Sequence, residues 1–169
     1  SLGGACALAL ADVRPQKVLS LTLLAPAGLG PGVDGDFAEG LVRASRPDSL
    51  AQWLKHAVAD PQLISPAFVQ AAMDARVDPE LRAAQLQMAR DLFPDGTQAF
   101  DLRPALGRLT PPTRIIWGKA DNVLPWQQAL AAPGRMGLYL FAAVGHLLQF
   151  ERTEEVLAIL HEAFATAES

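Results

Sequence analysis

A helix that runs straight into a short apolar strand constrains this chain more than any other feature. From Ser1 to about Arg14, apolar and small residues (Leu2, Ala5, Cys6, Leu8, Ala9, Val13) fall on every side of the helical wheel, the pattern of a helix covered by other elements; Pro15 marks its end. Val18 to Ala25 follows, rich in leucine and closed by Pro26 and Gly28, and reads as a strand buried on both faces. A helix feeding such a strand implies a parallel sheet, so the fold class is α/β. Thr113–Gly118 and Leu138–Ala143 supply two further strands, with a short helix over Trp126–Ala132 between them. A last helix starts at Thr153 as its cap, with Glu154 and Glu155 in the first turn and Val156, Leu157, Leu160 and Phe164 as the inward stripe.

An all-helical block separates the first strand from the second. Gly28, Gly30, Pro31, Gly32 and Gly35 make a loop too glycine-rich to be regular. Helices are expected over Asp36–Ser45 and Asp48–Ala59, the second with Leu50, Trp53, Leu54, Ala57 and Val58 on its apolar side. Ser65-Pro66 and Asp78-Pro79-Glu80 each put a capping side chain before a proline in the first turn, which starts two more. Thr110-Pro111-Pro112 ends the block, which is expected to lie as a cap over the carboxyl edge of the sheet. The chain thus divides into residues 1–30 (first helix and first core strand), 31–110 (helical cap insert) and 111–169 (last core strands and helices).

Half of the 169 residues are hydrophobic, enough for a sizeable core in one domain. A net charge of -4 without any run of Lys or Arg leaves no electrostatic footprint for nucleic acid or an anionic membrane, so small molecules or proteins are the expected partners. The single cysteine, Cys6, cannot form an internal disulfide and is expected to be buried, which fits a reducing cytoplasm. Residues 2–11 imitate a signal peptide but lack an initiator Met and a basic flank, and no apolar run is long enough to span a bilayer. No metal site is expected.

The chemistry gathers at three places. Ser1-Leu2-Gly3-Gly4 is the second half of a G-x-S-x-G nucleophile elbow, in which a sharp turn holds a serine oxygen clear of the sheet. Ser1 is the candidate nucleophile, the Leu2 backbone N–H a candidate oxyanion donor, and Gly3 and Gly4 are expected where a tight elbow leaves no room for a Cβ. Asp121 stands just past the second strand and His146, in Val144-Gly145-His146, just past the third. Carboxyl ends of parallel strands share one edge, so these residues can converge there. A serine hydroxyl needs a neutral imidazole to take its proton, and the imidazole needs a carboxylate to fix its tautomer; His146 is the expected base and Asp121 its orienter. Asp34 or Asp36, in the loop after the first strand, is the alternative acid. A further alternative, Ser1 with its own α-amine as base, leaves Asp121 and His146 without a role. His56, beside Lys55, and His161 are expected to be solvated, while Trp126 and Leu147 are expected to line the pocket.

The order Ser, Asp, His is that of α/β-hydrolases. Ser1-Leu2-Gly3-Gly4, Ile116-Trp117-Gly118-Lys119-Ala120-Asp121 with Pro125, and Gly145-His146-Leu147-Leu148-Gln149 resemble that superfamily. Within it, Leu21-Thr22-Leu23-Leu24-Ala25-Pro26-Ala27-Gly28-Leu29-Gly30, Ala59-Asp60-Pro61 and Leu92-Phe93-Pro94-Asp95-Gly96 resemble the catalytic domain of the acetoin dehydrogenase dihydrolipoamide (dihydrolipoyllysine-residue) acetyltransferase components. The resemblance implies the C-terminal portion of an α/β-hydrolase fold with a helical cap. It further implies acetyl transfer from a lipoyl-linked donor to coenzyme A, no cofactor bound by this chain itself, and dehydrogenase-complex subunits as partners. The Gly-x before Ser1, the earlier strands and a lipoyl domain are missing from the sequence, so a longer reading frame is expected; a sheet cut to its last strands would expose an unpaired apolar edge. Two rivals remain open: a hydrolase of small esters or C–C bonds, which needs no coenzyme A, and a non-catalytic scaffold that docks dehydrogenase subunits.

Overall fold

The computed structural model describes residues 1–167. Three strands, β1 (Leu21–Leu24), β2 (Thr113–Gly118) and β3 (Gly137–Phe141), form a parallel sheet in the order β1-β2-β3, so β2 is central. Leu23 pairs with Ile115, and Ile116 pairs with both Leu24 and Tyr139. Ile115, Ile116 and Trp117 are fully buried, as the unbroken apolar run of a central parallel strand requires. β1 is shorter than its apolar run: Leu19 is exposed, Thr22 and Leu24 are half-buried, and the chain leaves the strand at Ala25 with φ at 40°.

Helix α1 (Leu2–Val13) packs on β1 and buries only the stripe Ala5, Leu8 and Ala11. The sides turned away from that stripe leave Cys6, Leu10 and Val13 exposed in this structure; the expectations of an all-round buried helix and a buried cysteine are both corrected.

Four helices follow β1: α2 (Gly35–Arg43), α3 (Pro47–His56), α4 (Pro66–Asp74) and α5 (Pro79–Leu92). Both expected proline starts hold, with Ser65 Oγ accepting from Phe68 N at 3.1 Å and Asp78 Oδ1 from Glu80 N and Leu81 N at 2.9 and 3.1 Å. A small core of Ala44, Leu50, Val58, Ile64 and Val69 joins α3 and α4. A sixth helix, α6 (Arg103–Arg108), unmarked by any pattern in the sequence, returns to pack on α1, where Arg108 pairs with Asp12 at 2.7 Å. After β3 come α7 (Leu148–Glu151) and α8 (Thr153–Ala167). The buried stripe of α8 runs through Val156, Ile159 and Ala163, whereas Leu157 and Phe164 are exposed: the period is the expected one, but the face is turned. Thr153 Oγ1 donates to Gln149 O at 2.8 Å, which ties α8 to α7.

Two buried glutamines hold the glycine-rich loop in place. Gln98 Oε1 accepts from Gly28 N at 2.5 Å, while its Nε2 donates to Gly32 O and to Gln128 Oε1 at 2.8 and 3.0 Å. Gln128, in the 3-10 turn Trp126–Ala131, donates to the same Gly32 O at 2.6 Å. Gln98→Ala leaves the Gly28 N–H buried and unpaired, a cost of about 1–3 kcal/mol. By urea unfolding, which measures that cost, the exposed Gln127→Ala should stay within about 0.5 kcal/mol of the parent.

Candidate active site

The acid is built by the turn that ends β2. Asp121 Oδ1 accepts from Val123 N and Leu124 N at 2.8 and 2.9 Å, so the side chain closes its own turn. Its Oδ2 accepts from Trp117 Nε1 at 2.9 Å and lies 2.8 Å from His146 Nδ1. Both partners are shielded, with side-chain exposures of 6% for His146 and 0% for Asp121, so water does not compete for this bond. With the carboxylate accepting at Nδ1, the neutral imidazole keeps Nε2 as its basic nitrogen.

The loops that carry the two residues are interlocked. Lys119 N donates to Phe141 O at 2.8 Å and Ala120 N to Val144 O at 2.9 Å. A Cβ on Gly118 would lie 2.1 Å from Val144 O, closer than two atoms can approach, so the carboxyl ends of β2 and β3 meet only because residue 118 has no side chain. His146 N in turn donates to Ala57 O at 2.7 Å, just past α3.

Ser1 caps α1. Its carbonyl accepts from Ala5 N and Ala27 N, both at 3.1 Å, and its nitrogen donates to Leu24 O at 3.1 Å, which fastens the helix start to the end of β1. The N–H groups of the first helical turn, Leu2 among them, have no partner within the helix and give this end a partial positive charge. Gly4 fits the elbow reading, because a Cβ there would lie 2.9 Å from Pro26 Cβ; the same expectation for Gly3 is corrected, since among the described residues a Cβ there would point into open space.

Two cavities meet at Ser1. One of about 420 Å³ is walled by Ser1, Gly3, Thr22, Leu24, His146 and Leu147. The other, of about 340 Å³, runs under α2 and α5 and is walled by Ser1, Leu2, Phe37, Leu41, Arg76 and Met88. The structure therefore bonds Asp121 to His146 and gives Ser1, His146 and Leu147 a common wall. Trp126 borders neither cavity; it is half-buried, with the Lys119 ammonium 5.0 Å above its ring.

Of the two alternative acids, Asp34 is engaged elsewhere. Asp34 Oδ1 caps α2 through Phe37 N at 3.1 Å, and its Oδ2 lies 2.8 Å from His56 Nε2. His56 is thus paired and not simply solvated: its ring forms a triangle with those of Phe37 and Trp53, 6.1 and 6.3 Å away. Asp36 and His161 are exposed. Sequence reasoning missed Phe37, whose ring stands edge-on to His146 at 6.4 Å, and Arg76, which lines the cavity under the cap. Arg76 Nη2 donates to Leu41 O and Val42 O at 2.5 and 2.9 Å, and burial together with the nearby Arg82 charge lowers its pKa from the usual arginine value. Neither follows a local pattern, since the fold brings each to the site from far along the chain.

Residues 1–159 match the Alpha/beta hydrolase family, and the chain belongs to it. It is 33% identical over 156 residues to the dihydrolipoyllysine-residue acetyltransferase component of the acetoin cleaving system of Pseudomonas putida, a match covering 92% of this chain and 41% of that protein. It is 28% identical over 169 residues to the 2-hydroxy-6-oxononadienedioate/2-hydroxy-6-oxononatrienedioate hydrolase of Paraburkholderia xenovorans, covering 92% of this chain and 56% of the relative. The fold is similar to a meta-cleavage product hydrolase from Pseudomonas fluorescens, with a TM-score of 0.82 at 22% identity over 97% of this chain and 62% of that one. The chain spans about half the length of the curated relatives it matches. Among the described residues no helix is long and apolar enough to cross a membrane.

Gly118→Ala should separate the acid and histidine loops at a cost of about 1–3 kcal/mol by urea unfolding, the usual range for overpacking. An unchanged stability would mean that the loops do not meet as described.

Proposed function

We propose that the chain carries the catalytic groups of a serine-dependent acyl transfer, with Ser1 as nucleophile, His146 as base and Asp121 as the residue that orients and stabilises the imidazole. The observation that carries this reading is the shielded Asp121–His146 hydrogen bond at 2.8 Å beside a cavity whose wall includes Ser1 at a helix N-terminus. Ser1 Oγ attacks the carbonyl carbon of a thioester while Nε2 of His146 takes the hydroxyl proton. The Leu2 N–H donates to the oxyanion that forms. Collapse of the tetrahedral species expels the thiol, which leaves with the proton from the imidazolium. An acceptor thiol then gives its proton to Nε2 and attacks the acyl-serine; collapse releases the new thioester as Ser1 Oγ takes the proton back from the imidazolium.

The likeness to acetoin-system acetyltransferases supports an acetyl group as cargo, a dihydrolipoyl thiol as donor, coenzyme A as acceptor and dehydrogenase-complex subunits as partners. The intact protein is offered S-acetyl-dihydrolipoamide with coenzyme A in water, and acetyl-CoA is quantified against free acetate. Acetyl-CoA should dominate and vanish in Ser1→Ala, and Asp121→Asn, which presents the wrong tautomer, should lower kcat about 10⁴-fold. A predominance of acetate would replace the acceptor by water, and no product at all would favour the scaffold.

Arg76 favours a second reading. A half-buried guanidinium with five N–H donors, of which those on Nη2 meet backbone carbonyls, suits a carboxylate-bearing substrate, and the Paraburkholderia xenovorans relative is by name a hydrolase of a dienedioate and a trienedioate. On this reading Arg76→Leu raises KM for an acidic substrate about tenfold or more and leaves that for an uncharged ester unchanged.

A further inference from the structure

Glu151, at the end of α7, is placed to couple the cap to the histidine loop. Its Oε1 accepts from Gly145 N at 2.7 Å, and its Oε2 accepts from Ala59 N at 2.8 Å. Gly145 immediately precedes His146, and Ala59 lies three residues past the end of α3. One carboxylate thus joins two backbone turns that are 86 residues apart in the chain, Ala59 and Gly145. The turns are in close contact besides: His146 N donates to Ala57 O at 2.7 Å, and a Cβ on Gly145 would lie 2.7 Å from Ala57 O and 2.8 Å from Ala59 N. Carboxylate bonds to backbone N–H groups are among the stronger ones in proteins, and an amide in its place could accept only one of the two. The other N–H would face the amide's own N–H donors.

We propose that Glu151 is a positioning residue: it clamps the turn after α3 to the turn before His146, so that the seat of the cap sets the alignment of the imidazole on Asp121. The assignment of His146 as base rests on the function proposed above, but the clamp does not. Ala59 is exposed, so slow exchange of its amide hydrogen requires the carboxylate that receives it.

The test uses the intact protein and two readouts. In the parent, the Ala59 and Gly145 amides should exchange slowly, and the His146 Nδ1 proton, bonded to a carboxylate, should give a far-downfield NMR line. Glu151→Gln should speed exchange at one or both amides and shift or broaden that line. Where turnover is observed, it should lower kcat about tenfold with KM nearly unchanged, the signature of a misaligned base. Glu154→Gln, which alters an exposed neighbouring carboxylate, should move none of these. A folded Glu151→Gln protein with an unchanged downfield line overturns the proposal, even in a protein that shows no turnover. Fast Ala59 exchange in the parent overturns it as well, whether or not the variant folds.

Discussion

One fully buried carboxylate organises the edge that holds the candidate site. Asp121 accepts two hydrogen bonds from the turn it closes, one from the indole of Trp117 and one from the imidazole of His146. A charged group in such a place is tolerable only when its lone pairs are filled, and each partner that fills them is thereby held in position. Trp117 anchors the carboxylate to the central strand; Val123 and Leu124 shape the loop that returns toward the cap, where Val123 O receives Asp34 N at 2.8 Å. The sheet, the acid loop and the cap therefore share one electrostatic centre, and the candidate base is attached to it.

The neighbouring contacts serve the same geometry. The missing side chain at Gly118 lets the ends of β2 and β3 touch, and Ala27 N on Ser1 O sets the start of α1 against the end of β1. Above the sheet, Asp34 and His56 pair across α2 and α3 and enclose Phe37, whose ring stands against both His56 and His146. Polar groups fasten the frame while apolar ones, Phe37, Leu41 and Met88, shape the cavity, the usual division in a pocket for a small ligand.

What the sequence revealed was local. Ser65 and Asp78 before prolines signal helix starts through bonds to backbone three residues on or nearer, and Asp121 and His146 stand out because each follows an apolar strand. The parallel sheet follows from helices interposed between strands. What stayed hidden depends on partners far along the chain. The exposed Cys6, and the turned face of α8 that leaves Leu157 and Phe164 in water, reflect which side of a helix meets a neighbour, which a wheel of mostly apolar residues does not encode. His56 with Asp34, Gln98 with Gly28, and Glu151 with Ala59 pair over separations of 22, 70 and 92 residues, and no periodicity in the sequence announces them.

The central claim is that Asp121 and His146 make Ser1 nucleophilic, and covalent capture tests it without any assumption about substrate. The intact protein is treated with a small fluorophosphonate, which reacts with activated serines by displacement of fluoride, and the adduct is mapped by peptide mass spectrometry. The account predicts a single adduct on Ser1, formed far more slowly in His146→Ala and in Asp121→Asn than in the parent. An adduct on another residue, or labelling of Ser1 at the same rate in all three proteins, would contradict it.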